Sequence, residues 1–391
     1  MRRLPTFPVV LAGVAAFLNL YSTQPLLPLL RETFGASTFE AGLTITAPTV
    51  AVAIFAPFIG RLADRLGLRR VIVLSAWTLT AATALAATSR SLSQLVAWRF
   101  VQGISTPGIF ASTVAYIHEV WPPTHAGRTT AAYMTGTILG GFTGRAVSGL
   151  MAADTSWQAA FVALAILTGA VAASLTTWLP DEPRGASHAA RSHDRPTHLL
   201  QNRRLLATCG VGFSVLFTQV AMFTYVTFHL AAPPYGLSTM ALGWLFVVYL
   251  VGAIATPFAG RWIDAYGHRA GIGSAMAIGG GGALLTLVPW LPAIVAGLAL
   301  SATGVFVAQA TTSSYIGAVT PSDRALAVGM YSTFYYAGGS TGGALPSMFW
   351  RAGGWTACVL LVVAVQLIGA AIAFTQWSPA HGEVIPVGTG D

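Results

Sequence analysis

Charge is the scarcest resource in this 391-residue sequence: charged residues make up 8% of it and hydrophobic residues 54%, against about 25% charged in an ordinary soluble domain. So little charge excludes a soluble globular protein of this length, and a mean hydropathy of +0.67 points to lipid as the solvent. Lysine is absent; all 20 basic residues are arginine, which we read as the codon habit of a high-GC genome. The two cysteines, Cys209 and Cys358, lie in apolar runs, which argues against a disulfide framework or a cysteine metal site. There is no nucleotide-binding glycine loop, no HExxH and no clustered His/Cys/carboxylate set. An enzyme, an ATP-driven pump and a metal centre are therefore not expected.

What is present is a succession of apolar runs of roughly twenty residues, the length a helix needs to cross a bilayer. Lipid requires internally satisfied backbones, and runs of this length select helices over the alternating strands of a barrel. Helices are expected at 7–30, 40–60, 71–88, 93–117, 129–152, 157–179, 204–230, 239–260, 271–288, 291–316, 326–349 and 355–376. Pro25, Pro48, Pro57, Pro107, Pro257 and Pro346 fall inside them. Arg2 and Arg3 precede the first run as in a signal peptide, but no clean cleavage site follows, so it is read as a retained helix.

Arginine placement orients the chain. One set of ends and loops carries fifteen arginines, the opposite set carries three (Arg31, Arg90 and Arg351), and Arg99 and Arg145 fall inside spans. The positive-inside rule then places both termini in the cytoplasm. The net charge of +8 reflects orientation and lipid headgroups, not nucleic-acid binding. Residues 180–203 are polar and rich in Pro, Ser, His and Arg. They divide the chain into a bundle at 1–179, a cytoplasmic linker, and a bundle at 204–391 with a short tail. His188, His193 and His198 recur every five residues there and read as a solvated face.

The two bundles repeat each other. Residues 53–70 (AIFAPFIGRLADRLGLRR) and 253–270 (AIATPFAGRWIDAYGHRA) match at nine of eighteen positions at a constant offset of 200. GGFTGRA at 140–146 likewise matches GGSTGGA at 338–344. The run Gly60-Arg61-Leu62-Ala63-Asp64-Arg65-Leu66-Gly67-Leu68-Arg69-Arg70 resembles the signature loop between helices 2 and 3 of the major facilitator superfamily. Leu95, Arg99, Gln102 and Gly103 resemble its helix-4 motif, and Gly136, Gly140 and Gly144 its antiporter-associated glycine motif, with Gly141 where that pattern often has proline. The resemblance covers the whole chain. It implies an all-α membrane protein of twelve transmembrane helices in two pseudo-symmetric six-helix bundles. It further implies a monomeric carrier in the bacterial inner membrane, akin to drug–proton antiporters, with no cofactor beyond a proton gradient. Its partners would be a small-molecule substrate, protons and the lipid bilayer, without nucleic acid.

On that resemblance Gly60, Arg61, Asp64, Arg65, Gly67 and Arg69, repeated as Gly260, Arg261, Asp264 and Gly267, form a cytoplasmic latch between the bundles. A plain topogenic charge cluster is the alternative. Gly60 and Gly67 are expected to allow close approach and positive φ in a tight loop. Gly136, Gly140 and Gly144 fall on one helix face, matched by Gly338 and Gly342, and suit close helix packing, with sealing of the two bundles as the functional reading. An arginine inside a span needs a wet cavity or a partner. Arg99, with Gln102 beside it, is read as a coupling or cavity residue or as one snorkelling to headgroups. Arg145 is read as contacting substrate or as capping a neighbour's carbonyls. None of the 12 acids is clearly mid-membrane, which leaves His229 as the titratable candidate beside a plain interfacial reading. Asn19, Tyr21, Gln24, Gln219, Tyr225, Gln309 and Tyr335, with Tyr331 and Tyr336, are the polar or aromatic candidates for a midplane cavity. Proton-coupled efflux of small amphipathic molecules is the leading reading. Import or exchange of sugars or organic anions, with Arg145 holding the anion, is the second, and a non-transporting sensor or lipid mover the third.

Overall fold

The structure is a computed structural model describing residues 5–182, 201–320 and 324–377, so the linker's His188, His193 and His198 lie outside the described residues. The described chain is helical. The first half comprises α1 Phe7–Leu18, a 3-10 turn Gln24–Leu26, α2 Leu27–Thr33, α3 Thr38–Leu66, α4 Leu68–Ala86, α5 Leu92–Val120, α6 Pro123–Asp154 and α7 Trp157–Trp178. The second comprises α8 Arg203–Ala231, α9 Thr239–Leu245, α10 Val248–Leu285, α11 Leu291–Val319, α12 Arg324–Ala344 and α13 Pro346–Gln376. These make twelve crossings, because α10 is folded at Gly267 and α13 at Gly353 and Gly354. Six of the helices are long and apolar enough to cross a membrane by composition alone. Outward faces of α4, α7, α10 and α13 carry Leu74, Ile166, Ile254, Phe258, Leu367 and Ile368, the pattern of a surface bathed in lipid.

Short polar residues start many of the helices. Ser37 and Glu40 form a reciprocal capping box at α3. Ser91, Ser156, Asn202 and Ser238 accept from the first-turn N–H groups of α5, α7, α8 and α9. Each such cap satisfies donors that lipid could not. Ser37 and Ser238 open corresponding helices of the two halves.

Three sequence expectations need correction. The first helix is not continuous over 7–30. α1 stops at Leu18, and a turn and the 3-10 segment intervene before α2. Pro25 and Pro28 lack the N–H that would bond back along a helix, and where α1 stops the guanidinium of Arg99 donates to the carbonyls of Asn19 and Leu20. Pro25 and Pro346 accordingly open elements instead of interrupting them. Second, residues 60–70 are not a loop. α3 runs through Gly60 to Leu66, so Gly60 is helical, and the turn contracts to Gly67 (φ 86, ψ 146). Gly267 repeats this at φ 81, ψ 170. Only glycine reaches that region readily, so the repeat in sequence is a repeat in backbone geometry. Third, Gly136, Gly140 and Gly144 do not lie between the halves. A Cβ at each would collide with the carbonyls of Val10, Val14 and Leu18 on α1. Gly338 and Gly342 meet Phe213 and Phe217 on α8 in the same way. Each stripe joins the first and fifth crossings within its own half, where near-contact of backbones is the source of the packing energy.

Candidate functional site

Four crossings, α3, α6, α9–α10 and α12, carry glycine near both ends, and the two ends differ. At one end, a Cβ on Gly42 of α3 would sit 2.8 Å from the carbonyl of Gly343 on α12, and one on Gly243 of α9 would sit 2.8 Å from the carbonyl of Arg145 on α6. A Cβ on Gly149 would stand 2.9 Å from the Cα of Gly243. Thr46 Oγ1 donates to Ser340 O and Ser340 Oγ to Thr49 Oγ1, each at 3.2 Å. The halves are thus in backbone contact along α3–α12 and α6–α9. At the opposite end of the same crossings, a Cβ at Gly60, Gly127, Gly260 or Gly329 would meet nothing within 4 Å among the described residues. Arg61, Asp64, Arg65 and Arg261 there are exposed; the side chain of Asp264 lies outside the described residues.

Arg69 is engaged within its own half. Its Nε and Nη2 donate to Leu179 O and Thr176 O, each at 2.8 Å, its backbone N–H donates to Glu182, and Asp181 lies 3.5 Å from Nε. Arg269 likewise donates to Trp377 O at the end of α13. Each hinge therefore holds the C-terminal end of its half's last helix, where free carbonyls and the helix dipole favour a cation. Arg269 was readable from the sequence, standing 200 residues after Arg69.

Two arginine sites lie inside the protein. Arg99 is 0% exposed. Its Nε donates to Thr44 O at 2.9 Å and Nη1 to Asn19 O at 2.7 Å, with Gln102 Oε1 and Leu20 O completing the set. Gln102 Nε2 donates to Thr83 Oγ1 at 3.0 Å, and Asn19 Nδ2 to Thr168 Oγ1 at 2.9 Å. Asn19, Arg99 and Gln102 thus form one polar brace across the broken first crossing.

Arg145 heads the other site. It lies nine residues before the end of α6, about 14 Å along the helix from the closed end. Nε donates to Gln24 Oε1 at 2.7 Å and Nη1 to Gly141 O at 2.6 Å. Its guanidinium lies over the rings of Phe246 (4.7 Å), Tyr249 (5.0 Å) and Tyr21 (5.1 Å). Tyr21, Gln24 and Arg145 come from the first half, Phe246 and Tyr249 from the second. Gln24 Nε2 also reaches Thr224 Oγ1 across the boundary at 3.3 Å. Phe246 and Tyr249 give no polar or periodic signal within their apolar run, and only the fold brings them to Arg145.

The remaining candidates are dispersed. Gln219 approaches the Tyr249 hydroxyl without full hydrogen-bond geometry. Gln309 accepts from Tyr331 at 2.7 Å, and Tyr335 packs between Tyr331 and Tyr336. Tyr225 donates to Gly343 O at 3.0 Å and so belongs to the closed end. His229 stacks on Trp355 with centroids 5.5 Å apart and Tyr235 edge-on.

Comparison with known proteins agrees with this geometry. The family model described as Major Facilitator Superfamily matches residues 9–241 and 228–390. An uncharacterized MFS-type transporter, YybF, of Bacillus subtilis strain 168 is 29% identical over 373 residues, covering 93% of this chain and 92% of that protein. The inner membrane transport protein YnfM of Escherichia coli K12 is 29% identical over 377 residues, covering 93% and 89%. Among solved structures, a bacterial homologue of the human lysosomal transporter Spinster, inward-facing and occupied, superposes with a TM-score of 0.80 at 17% identity, covering 96% and 98% of the two chains.

Proposed function

The chain belongs to the major facilitator superfamily, and on that premise we propose that it is a secondary-active carrier exporting small organic molecules across the bacterial inner membrane by alternating access, coupled to protons. The observation that carries this reading is the opposite condition of the two ends of α3, α6, α9–α10 and α12. Backbones touch at Gly42–Gly343 and Gly149–Gly243, while open space surrounds Gly60, Gly127, Gly260 and Gly329. Such a molecule is open at the end bearing the hinges. The arginine bias favours assigning that end, and both termini, to the cytoplasm. The Spinster homologue of similar fold was itself captured inward-facing.

In this reading the bundles 1–179 and 204–391 rock against each other about the linker. Arg61, Asp64 and Arg65, with Arg261 and Asp264, latch the cytoplasmic end once the halves swing together there. Every described Asp and Glu sits near a helix end, at a hinge or beyond a helix, which leaves His229, partly buried in the last turn of α8, as the titratable candidate for proton coupling. Exchange of organic anions is the second reading, favoured by the acid-free surroundings of Arg145.

Flux into proteoliposomes, measured for drugs, sugars and carboxylates with and without an imposed proton gradient, tests the reading. Gradient-dependent accumulation of one class is expected. Flux indifferent to uncouplers would remove the proton coupling, and no movement of any class would remove the carrier.

A further inference from the structure

Arg99 and Arg145 are both buried, yet they are solvated differently. Arg99 has three backbone carbonyls and a glutamine oxygen around it. Arg145, 3% exposed, has two oxygens for five N–H donors, from Gln24 and Gly141. Among the described residues no carboxylate pairs with it. The rest of its surroundings are ring faces, from Tyr21, Phe246 and Tyr249. A guanidinium stays charged at any physiological pH, and aromatic faces compensate a cation only in part.

Two of those rings add a second, independent observation. The Tyr21 hydroxyl is buried and lacks a hydrogen-bond partner, and the buried Tyr249 hydroxyl has only Gln219 nearby, short of full hydrogen-bond geometry. A buried hydroxyl left in this condition is destabilising, and it persists where something else uses it. A guanidinium with N–H donors to spare thus lies over the rings of two tyrosines whose hydroxyls are poorly served, at the boundary of the halves. The group that satisfies them together is a carboxylate: planar, singly negative, and able to take two parallel bonds from a guanidinium. One cation neutralises one negative charge and would leave a second uncompensated. The ring walls suit an aromatic body behind the charged end.

We propose that Arg145, with the hydroxyls of Tyr21 and Tyr249, holds the carboxylate of an aromatic organic monoanion carried as cargo. This rests on the second reading above, a carrier that exchanges organic anions, and names its substrate class. Tyr21 and Arg145 belong to one half and Tyr249 and Phe246 to the other, so the seat is assembled and taken apart as the halves move. An occupied seat is electrically neutral and an empty one is not, which favours exchange of one anion for another over return of the empty carrier.

The test uses the purified full-length protein, with benzoate and 3-phenylpropanoate as carboxylates. 3-Phenylpropanamide serves as the neutral isostere and phenethylamine as the cation. Binding and counterflow of at least one carboxylate are expected, with the amide weaker by about tenfold or more. Arg145→Gln should lose about as much. Because Arg145→Gln can also disturb folding, Tyr249→Phe is the second variant. It should weaken carboxylate binding several-fold while the empty protein melts at an equal or higher temperature, a combination a structural lesion does not produce. Equal binding of amide and carboxylate, no binding of either carboxylate, or full carboxylate affinity in Arg145→Gln would each overturn the proposal. Counterflow of the amine or amide alone would overturn it while leaving the carrier reading intact. No flux of any compound, with the two ends fixed in one state, would overturn both.

Discussion

Replacing Gly42 by alanine should open the closed end without unfolding the protein. The added Cβ would stand 2.8 Å from the Gly343 carbonyl, 0.6 Å inside the 3.4 Å at which ordinary contact begins. Both partners are backbone, so neither can turn aside as a side chain would. Overpacking of this kind costs about 1–3 kcal/mol. The gain in helix propensity, up to about 1 kcal/mol, applies in both states and cancels from their equilibrium. The population should therefore shift away from the present state by roughly 5- to 150-fold. Thr49, buried at the same seam, reports the shift as Thr49→Cys reacting with a membrane-impermeant maleimide. The native Cys209 and Cys358 are buried and give little background. Labelling should accelerate by the same factor while the melting temperature stays close to that of the parent. Gly144→Ala is the control: it collides with Leu18 inside the first half, and should lower the melting temperature with little change in labelling. An unchanged labelling rate in Gly42→Ala would refute the view that this seam holds the state.

Other perturbations separate bracing, hinge and latch. Arg99→Gln removes the donors serving the Leu20 and Thr44 carbonyls, while Asn19 O keeps the N–H and hydroxyl of Ser22; at about 1–3 kcal/mol per orphaned group a drop in melting temperature is expected, and a melt like the parent's would contradict the brace. At Gly67 and Gly267, both Ala and Asn should destabilise by about 1–3 kcal/mol, because positive φ with ψ of 146 and 170 lies outside even the left-handed region that Asn tolerates; tolerance of Asn in a denaturation series would speak against that backbone. Asp64→Asn should leave insertion and melting intact and cut flux, whereas undiminished flux at matched protein level would leave only a topogenic role.

The sequence made the architecture legible because it rests on period and symmetry. The 200-residue offset reappears as paired hinge glycines at 67 and 267 and as paired arginines at 69 and 269. The break in the first crossing left a mark in the sequence, the polar cluster Asn19, Ser22, Thr23 and Gln24 before Pro25, which reads equally as cavity lining. Arg99, which braces the break, lies some eighty residues away. The glycine stripe at 136–144 showed which face packs but not against which partner, since spacing fixes only the helix's own side. Phe246 and Tyr249 were illegible for a similar reason: an aromatic in an apolar run is chemically silent until a charge such as Arg145 lies over it.

The central claim is that the two ends of one helix pair open in alternation. Spin labels at Arg61 and Val328 report the open end of α3 and α12, and labels at Phe39 and Leu345 report the closed end; all four positions are exposed. Distance distributions from both pairs, taken with and without a proton gradient or cargo, should change in opposite directions, the first shortening as the second lengthens. Distances that stay fixed, or that lengthen together, would contradict the account.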